Sequence, residues 1–458
     1  MKKRRIIRTF LFGVSPIFLA APLLRAQDNP ELLNRMRAME DRIKSLESEV
    51  QTLKAALTAA APAQPAATPT PTAALPPEQP AAQEPVRLGG AGAAAAKVLN
   101  PDISVIGDFV GGIGNPQNRA TPSLEMHESE VGFQEVIDPY ARADFFISFG
   151  EQGVELEEGY LTFTALPAGL QLKVGKMRAA FGKVNTLHNH VLPWVDRPLV
   201  SQNLVGGEDG IDDAGLSLSR ILPSPKGLFL EGTAQIYRGD SDNVFQARQR
   251  SDVAAVGHLR AYHDFSDSTN IDFGGSYARG HSPFAFDGTN QLFGVDATLR
   301  WKPLQRSIYR SFVGRFEGIW ARTQVSPALL AGTVEPSPLP VMDFRRTIKP
   351  FGFYVSGDYQ FGRRWFLGGR FDRSQRGACL PTNPATDAVC TALADRPVLL
   401  PGRLLQDTGG AVMLTYWPSE FSQIRGELRR NRYGEGLTAN EFLFQFMFSM
   451  GAHGAHPF

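Results

Sequence analysis

From residue 101 onward the chain alternates apolar and polar residues with a period of two, the repeat of a strand whose two faces meet different surroundings. In QLFGVDATLRW, Phe293, Val295, Ala297, Leu299 and Trp301 share one face, and Leu292, Gly294, Asp296, Thr298 and Arg300 the other. YARADFFISF sets Ala143, Phe145, Ile147 and Phe149 against Arg142, Asp144, Phe146 and Ser148. RSFVGRFEGIW sets Phe312, Phe316 and Trp320 against Ser311, Arg315 and Glu317. Such runs predict about sixteen strands, with about eighteen also compatible. They lie near 103–113, 129–137, 140–149, 154–164, 169–177, 213–222, 227–239, 253–264, 270–280, 290–302, 309–323, 346–359, 365–376, 408–417, 421–431 and 440–451. Lengths of about ten residues suit a tilted membrane strand.

One set of connections is short and turn-like: Asp138-Pro139, LPAG at 166–169, PSPK at 223–226, FSDST at 265–269, PLQRS at 303–307, FGRR at 361–364 and PSE at 418–420. The other set is mostly longer, including 178–212, 240–252, 324–345 and 377–407. This alternation predicts an all-β transmembrane antiparallel barrel over residues 100–458, with turns toward the periplasm and loops toward the outside. A soluble sandwich or propeller would instead bury the apolar faces. Against that, Trp301, Trp320, Trp365 and Tyr416 stand on the apolar face near strand ends, as interfacial girdles do. The opposite face carries Arg, Lys, Asp and Glu at strand centres, which a packed core does not tolerate.

Ahead of the barrel the period changes to 3.5. Residues 29–58 place Met36, Ile43, Val50 and Leu57 at a positions and Leu32, Met39, Leu46 and Leu53 at d positions of a heptad seam. In a parallel pair, Arg35 would face Glu40, Arg42 would face Glu47 and Glu49 would face Lys54, all of opposite sign. This predicts a parallel homo-oligomeric α-helical coiled coil, two- or three-stranded. Residues 59–99 are rich in Pro and Ala with almost no large apolar residue, which predicts a semi-extended linker. Residues 1–26, with MKKRRIIR followed by an apolar stretch and Ala26, read as a secretory signal peptide.

Composition agrees with an exported barrel: 45 Gly, 31 Phe, two Cys and a net charge of +1 over 458 residues. Near-neutral charge argues against a nucleic-acid partner, which requires a basic excess to meet phosphates. Cys379 and Cys390, in a stretch rich in turn formers, are expected to close a small disulfide loop. A metal pair is the lesser reading, since no further ligand stands nearby.

The run EEGYLTFTALPAGLQLKVGKMRAAFGKVNTLHNHVLPWVDRPLV, residues 157–200, is the most specific piece of the chain. Through Leu166, Pro167, Gly169, Val174, Gly175, Lys176, Phe181 and Gly182 it resembles the phosphate-selective porin O and P family. The resemblance implies a trimeric channel of general or anion-preferring type. The phosphate specialists of that family rely on dense inward lysines and arginines, and this sequence departs from that. Its predicted inward list mixes Arg142, Lys173, Arg260, Arg300, Arg315, Arg370, Arg425 and Arg429 with Asp144, Asp296, Glu317, Asp358, Asp372 and Glu427. Mixed signs set a transverse field for polar solutes, not a phosphate trap.

In porins a loop placed like 183–212 folds inward and narrows the channel, which would bring His188, His190, Trp194, Asp196 and Arg197 to a constriction; bracing a surface loop fits the same residues. His188 with His190 is a weak metal signal without a carboxylate set beside it, and GGEDGIDD at 206–213 lacks EF-hand spacing. No metal or cofactor is therefore expected. An outer-membrane enzyme would need a Ser and a His on neighbouring strands. His258 is the one mid-strand inward histidine, no serine motif marks its partner, and no catalytic residue is assigned.

The final strand sets Phe442, Phe444, Phe446, Phe448 and Met450 on one face, and Phe458 has their parity, like the signal read by the barrel assembly machinery. In an extended tail His453 and His456 point to opposite faces, which argues against a shared metal. The sequence as a whole predicts an outer-membrane porin that passes small polar or anionic solutes by passive diffusion, with its coil in the periplasm. Its expected partners are outer-membrane lipid, further copies of the chain as a trimer, the assembly machinery and, through the coil, the cell wall. The alternatives are a tether between outer membrane and cell wall, or a zinc-linked or TonB-type receptor, which needs a plug inside a barrel of about 22 strands.

Overall fold

A computed structural model describes Lys44, Ser48 and residues 101–115, 123–150, 153–241, 244–285, 287–325, 346–377 and 404–451. The predicted signal peptide, linker and disulfide, the tail with His453, His456 and Phe458, and the coil apart from Lys44 and Ser48 lie outside the described residues. The chain divides into two units, Met1–Val86 and Arg87–Phe458. In the first, Lys44 and Ser48 are helical and exposed. Among the described residues no helix is long and apolar enough to cross a membrane, a statement that does not bear on strands.

The second unit is one sheet closed on itself. Its strands are β1 (Asp102–Asn115), β2 (Leu124–Asp138), β3 (Ala141–Gly150), β4 (Gly153–Phe163), β5 (Leu170–Arg178), β6 (Asp212–Ile221), β7 (Leu228–Tyr237), β8 (Ala254–Ser266) and β9 (Thr269–His281). They continue as β10 (Thr289–Trp301), β11 (Ser311–Val325), β12 (Arg346–Ile348), β13 (Phe351–Gly362), β14 (Trp365–Gly377), β15 (Leu404–Ser419), β16 (Ser422–Arg432) and β17 (Thr438–Gly451). Apart from β12 and β13, each pairs antiparallel with its neighbours in sequence, and β17 returns to β1 with Phe446 opposite Phe109. Both β12 and β13 pair with β11, so they form one interrupted stave and the barrel has sixteen. The stave read as continuous over 346–359 breaks at Pro350, which has no N–H for the ladder; its carbonyl instead accepts from Ala321 N at 2.9 Å.

The two faces of the sheet are inverted relative to a soluble protein. Outward side chains such as Phe145, Leu218, Leu259, Phe293, Trp320, Phe371, Leu428 and Phe446 are exposed, while inward Asp108, Asp272, Glu317, Asp372, Glu427 and Gln445 are buried. A continuous apolar outer surface is unfavourable in water and favourable in hydrocarbon, where a closed sheet also leaves no backbone edge unpaired. Trp365 packs on Tyr416 across β14 and β15 with ring centroids 4.5 Å apart, an aromatic pair beside the short turn Arg363-Arg364. The packed core therefore lies inside the barrel, around a segment that enters the lumen.

Candidate functional site

That segment, residues 179–211 between β5 and β6, is closed at its neck by hydrogen bonds. Ala179 N donates to Ile211 O at 2.8 Å, and the buried Asn185 bridges both strands of the neck, its Nδ2 donating to Ala179 O and Ile211 O while its Oδ1 accepts from Ile211 N. From there the chain crosses the lumen. Ala180 N donates to Gln235 Oε1 on β7 at 2.7 Å, Gly182 N to Ser276 Oγ on β9 at 2.9 Å, and Lys183 Nζ to Asp272 Oδ2 at 3.0 Å. Gly182 has φ +62°, and a Cβ there would stand 1.7 Å from Glu317 Oε1, so glycine alone lets the backbone turn against that carboxylate. Phe181, Val184, Leu192, Trp194, Val200 and Ile211 then pack on Leu292, Ile319, Tyr354 and Met413, the inward apolar residues of β10, β11, β13 and β15.

On the β14–β16 wall the segment is clamped by charge. Asp196 accepts from Arg370 Nη2 at 2.6 Å and from Arg429 Nη1 at 2.5 Å, and its carbonyl accepts from Arg370 Nη1 at 2.7 Å. Arg370 also donates to Asp372 at 2.7 Å, and Arg429 to Glu441 at 2.5 Å. Leu199 N, at the start of the short helix α1 (Leu199–Leu204), donates to Asp372 Oδ1; Val195 N donates to Glu427, and Leu192 O accepts from Arg425. Burial disfavours the Asp196 carboxylate, but the two guanidinium groups outweigh it and hold the group well below its ordinary range. Trp194 stacks edge-on to Tyr354 at 5.1 Å, and the Arg370 guanidinium lies 5.1 Å from its ring.

The β2–β4 wall is built differently. Register shifts opposite Asp108/Phe109 and Phe146/Ile147 mark bulges in β2 and β4. A bulge adds one residue to a strand and re-aims its side chains, so His127 and Glu128 both turn inward, as do Glu157 and Glu158. Into this acidic corner the segment inserts His188 and His190. His188 Nδ1 lies 2.5 Å from Glu130 and 3.3 Å from Glu157, and its Nε2 lies 2.9 Å from Glu158. Burial lowers the basicity of His188, but Glu130 and Glu158 outweigh it and push the ring up to about 10. His190 is buried 3.8 Å from Glu128 and 3.7 Å from Glu130, too far to hydrogen bond, and both Glu128 oxygens and His190 Nδ1 have no hydrogen-bond partner. Arg197 ties the segment to itself, donating to Val184 O, Leu187 O and Asn189 Oδ1; burial, with the Arg178 charge, lowers it to about 10.

Toward the short turns the lumen is wetter. Arg142 is 46% exposed and bonded to Asp144 at 6%; Arg260 at 36%, Arg300 at 35% and Lys183 at 28% all face Asp272, which is fully covered. Arg315 is bonded to Asp358, and Lys173 lies 4.2 Å over the Tyr160 ring. Asp144 and Asp272 sit behind, against the wall, while the cationic tips reach into the open lumen, where Arg260 also has the half-buried Glu231 at 3.9 Å.

The predicted lumen residues thus separate into three groups. Asp196, Arg370, Asp372, Arg425, Glu427 and Arg429 form the clamped wall, with Glu317 under Gly182. Arg142, Asp144, Lys173, Arg300 and Arg315 stand in the wet vestibule, and His188, His190 and Arg197 meet the acidic corner. Sequence reasoning did not single out Glu128, Glu130, Glu157 and Glu158, which supply the carboxylate set that His188 and His190 lacked. Two histidines stand differently from what the sequence suggests. His258 does meet a serine, its Nδ1 standing 2.8 Å from Ser276 Oγ across the β8–β9 register, but that oxygen is buried and accepts from Gly182 N. His127 is a second inward histidine, because β2 begins at Leu124, earlier than its alternation suggested; it lies 3.5 Å from Glu208 of the acidic run 206–213.

No family model matches the chain, so the likeness of residues 157–200 to the phosphate-selective porins remains a likeness of motif. An uncharacterized protein of Aquifex aeolicus (strain VF5) is 28% identical over 416 residues, covering 79% of this chain and 81% of that protein. Among solved structures the chain is similar to OmpT, an outer membrane protein of Vibrio cholerae, with a TM-score of 0.48 and 8% identity over 76% of this chain and 97% of that one. It is also similar to the outer membrane channel DcaP of Acinetobacter baumannii, with a TM-score of 0.46 and 12% identity over 77% and 96%. Salmonella typhi OmpF gives a TM-score of 0.46 and 10% identity over 77% and 99%.

Proposed function

We propose that this chain is an outer-membrane porin, a passive channel for small polar solutes that favours anions, with segment 179–211 setting its bore. The observation that carries this reading is the division of charge in the vestibule: Arg142, Arg260 and Arg300 present wet cationic tips, while Asp144 and Asp272 are covered. A water-filled path lined this way lowers the barrier for an anion and raises it for a cation. A lumen crossed by its own loop in a sixteen-stave barrel also differs from a receptor with a separate plug inside about 22 strands. Assembly into trimers through the heptad segment accompanies this proposal.

Reconstitution into planar bilayers tests it. Folded oligomer is expected to give stepwise conductance, with a reversal potential of anion sign in a salt gradient. Folded protein without steps would overturn the channel, and a cation-sign potential would overturn the preference.

A further inference from the structure

We propose that Glu128, Glu130, His188 and His190 form a site for one borderline divalent transition-metal ion, which locks segment 179–211 onto β2. One donor atom from each of the four buried residues lies within 4.8 Å of all the others. Two observations independent of that clustering point to a ligand. Both Glu128 oxygens and His190 Nδ1 are buried without a hydrogen-bond partner, a costly state for a carboxylate and an imidazole aimed at each other. The other nitrogen of His188 is held by Glu158 at 2.9 Å, the carboxylate-to-histidine contact that fixes the ring of a metal ligand.

The donor set selects the ion. Two imidazoles and two carboxylates suit Zn²⁺ and its neighbours, whereas Ca²⁺ takes six to eight oxygens. Bonds of about 2.0–2.2 Å in a tetrahedron put donors about 3.4 Å apart. The His190–Glu128 and His190–Glu130 separations of 3.8 and 3.7 Å are close to that edge. The His188–Glu130 contact of 2.5 Å is a hydrogen bond, so binding must release its proton to solvent and move the two atoms apart by about 1 Å. Local charge favours a cation as well: Glu128, Glu130, Glu157 and Glu158 converge here, while Arg178 reaches Glu157 and the Arg197 donors go to its own loop.

The test uses the full chain, folded in detergent, stripped with chelator and titrated with Zn²⁺, with Co²⁺ as a spectroscopic probe and Ca²⁺ as comparison; it does not depend on conductance. The folded chain is expected to hold one Zn²⁺, to give a four-coordinate Co²⁺ spectrum and to bind Ca²⁺ poorly. Glu128→Gln and His190→Gln should each weaken zinc at least about 100-fold, and Glu158→Gln, which only orients His188, about 10-fold. Native folding is checked by the heat-dependent shift in gel mobility. If either ligand variant does not fold, wild-type stoichiometry and the Co²⁺ spectrum still decide. Folded wild type that retains no zinc, binds Ca²⁺ equally well, or keeps its zinc affinity in both folded ligand variants would overturn the site.

Discussion

The two walls that hold the lumenal segment do the same mechanical job with opposite chemistry. On β14–β17, Asp196, Asp372 and Glu441 each meet a guanidinium at 2.5–2.7 Å, so the burial of these three is compensated within the protein. On β2–β4, two bulges crowd glutamates around two imidazoles, and Glu128 and His190 Nδ1 face each other without a hydrogen bond. Buried charge persists where it is paired, or where an ion completes it. The first wall pairs its carboxylates with guanidinium groups and leaves single atoms such as Glu427 Oε1 without a hydrogen bond, whereas the second leaves both oxygens of Glu128 so and has the form of a receptacle.

Breaking the clamp gives the largest expected effect. Arg370→Ala removes one of the two guanidinium partners of Asp196 and the guanidinium partner of Asp372, leaving the first carboxylate to Arg429 and the second to Leu199 N, a loss of about 3–5 kcal/mol. The segment should leave the wall, and single-channel recordings should show larger, noisier steps than wild type. Unchanged step size in folded variant would mean that the segment does not set the bore.

The opposite wall should respond with the opposite sign. In chelator, Glu128→Gln removes a buried carboxylate that makes no hydrogen bond and has His190 only at 3.8 Å, and should raise stability by about 1 kcal/mol or more. Asp196→Asn, which weakens a paired charge, should lower it. Midpoints of the heat-dependent mobility shift compare the two directly. If both variants fall together, the two walls do not differ in how they compensate buried charge.

How much of this was legible in the sequence follows from the range of each interaction. Strand positions were readable because a period of two separates hydrocarbon from lumen along each strand, and all sixteen staves lie where the alternation put them. The bulges left a trace: the outward phase passes from Met126 to Ser129 and from Leu156 to Gly159, three residues in place of two. Starting the second strand at 129 hid His127 and Glu128. Cross-lumen partners leave no such trace, since Glu130 lies 58 positions from His188 and Arg370 lies 174 from Asp196. The same limit concealed Ser276 beside His258, a pairing that only the β8–β9 register creates.

The vestibule supplies the smallest effect and the cleanest one. Arg300 lies 3.9 Å from Asp272, which Arg260 and Lys183 already hold at 2.8 and 3.0 Å, so Arg300→Gln leaves no bare carboxylate. A half-exposed pair of this kind contributes at most about 1 kcal/mol, and stability should barely change. The reversal potential should nevertheless move toward cations, because the lost charge faces water. Lys173→Gln, over Tyr160, should act in the same direction, and the two together should approximately add, as separated sites do. A shift in selectivity without a shift in stability would assign the vestibule to permeation and leave anchoring to the two walls.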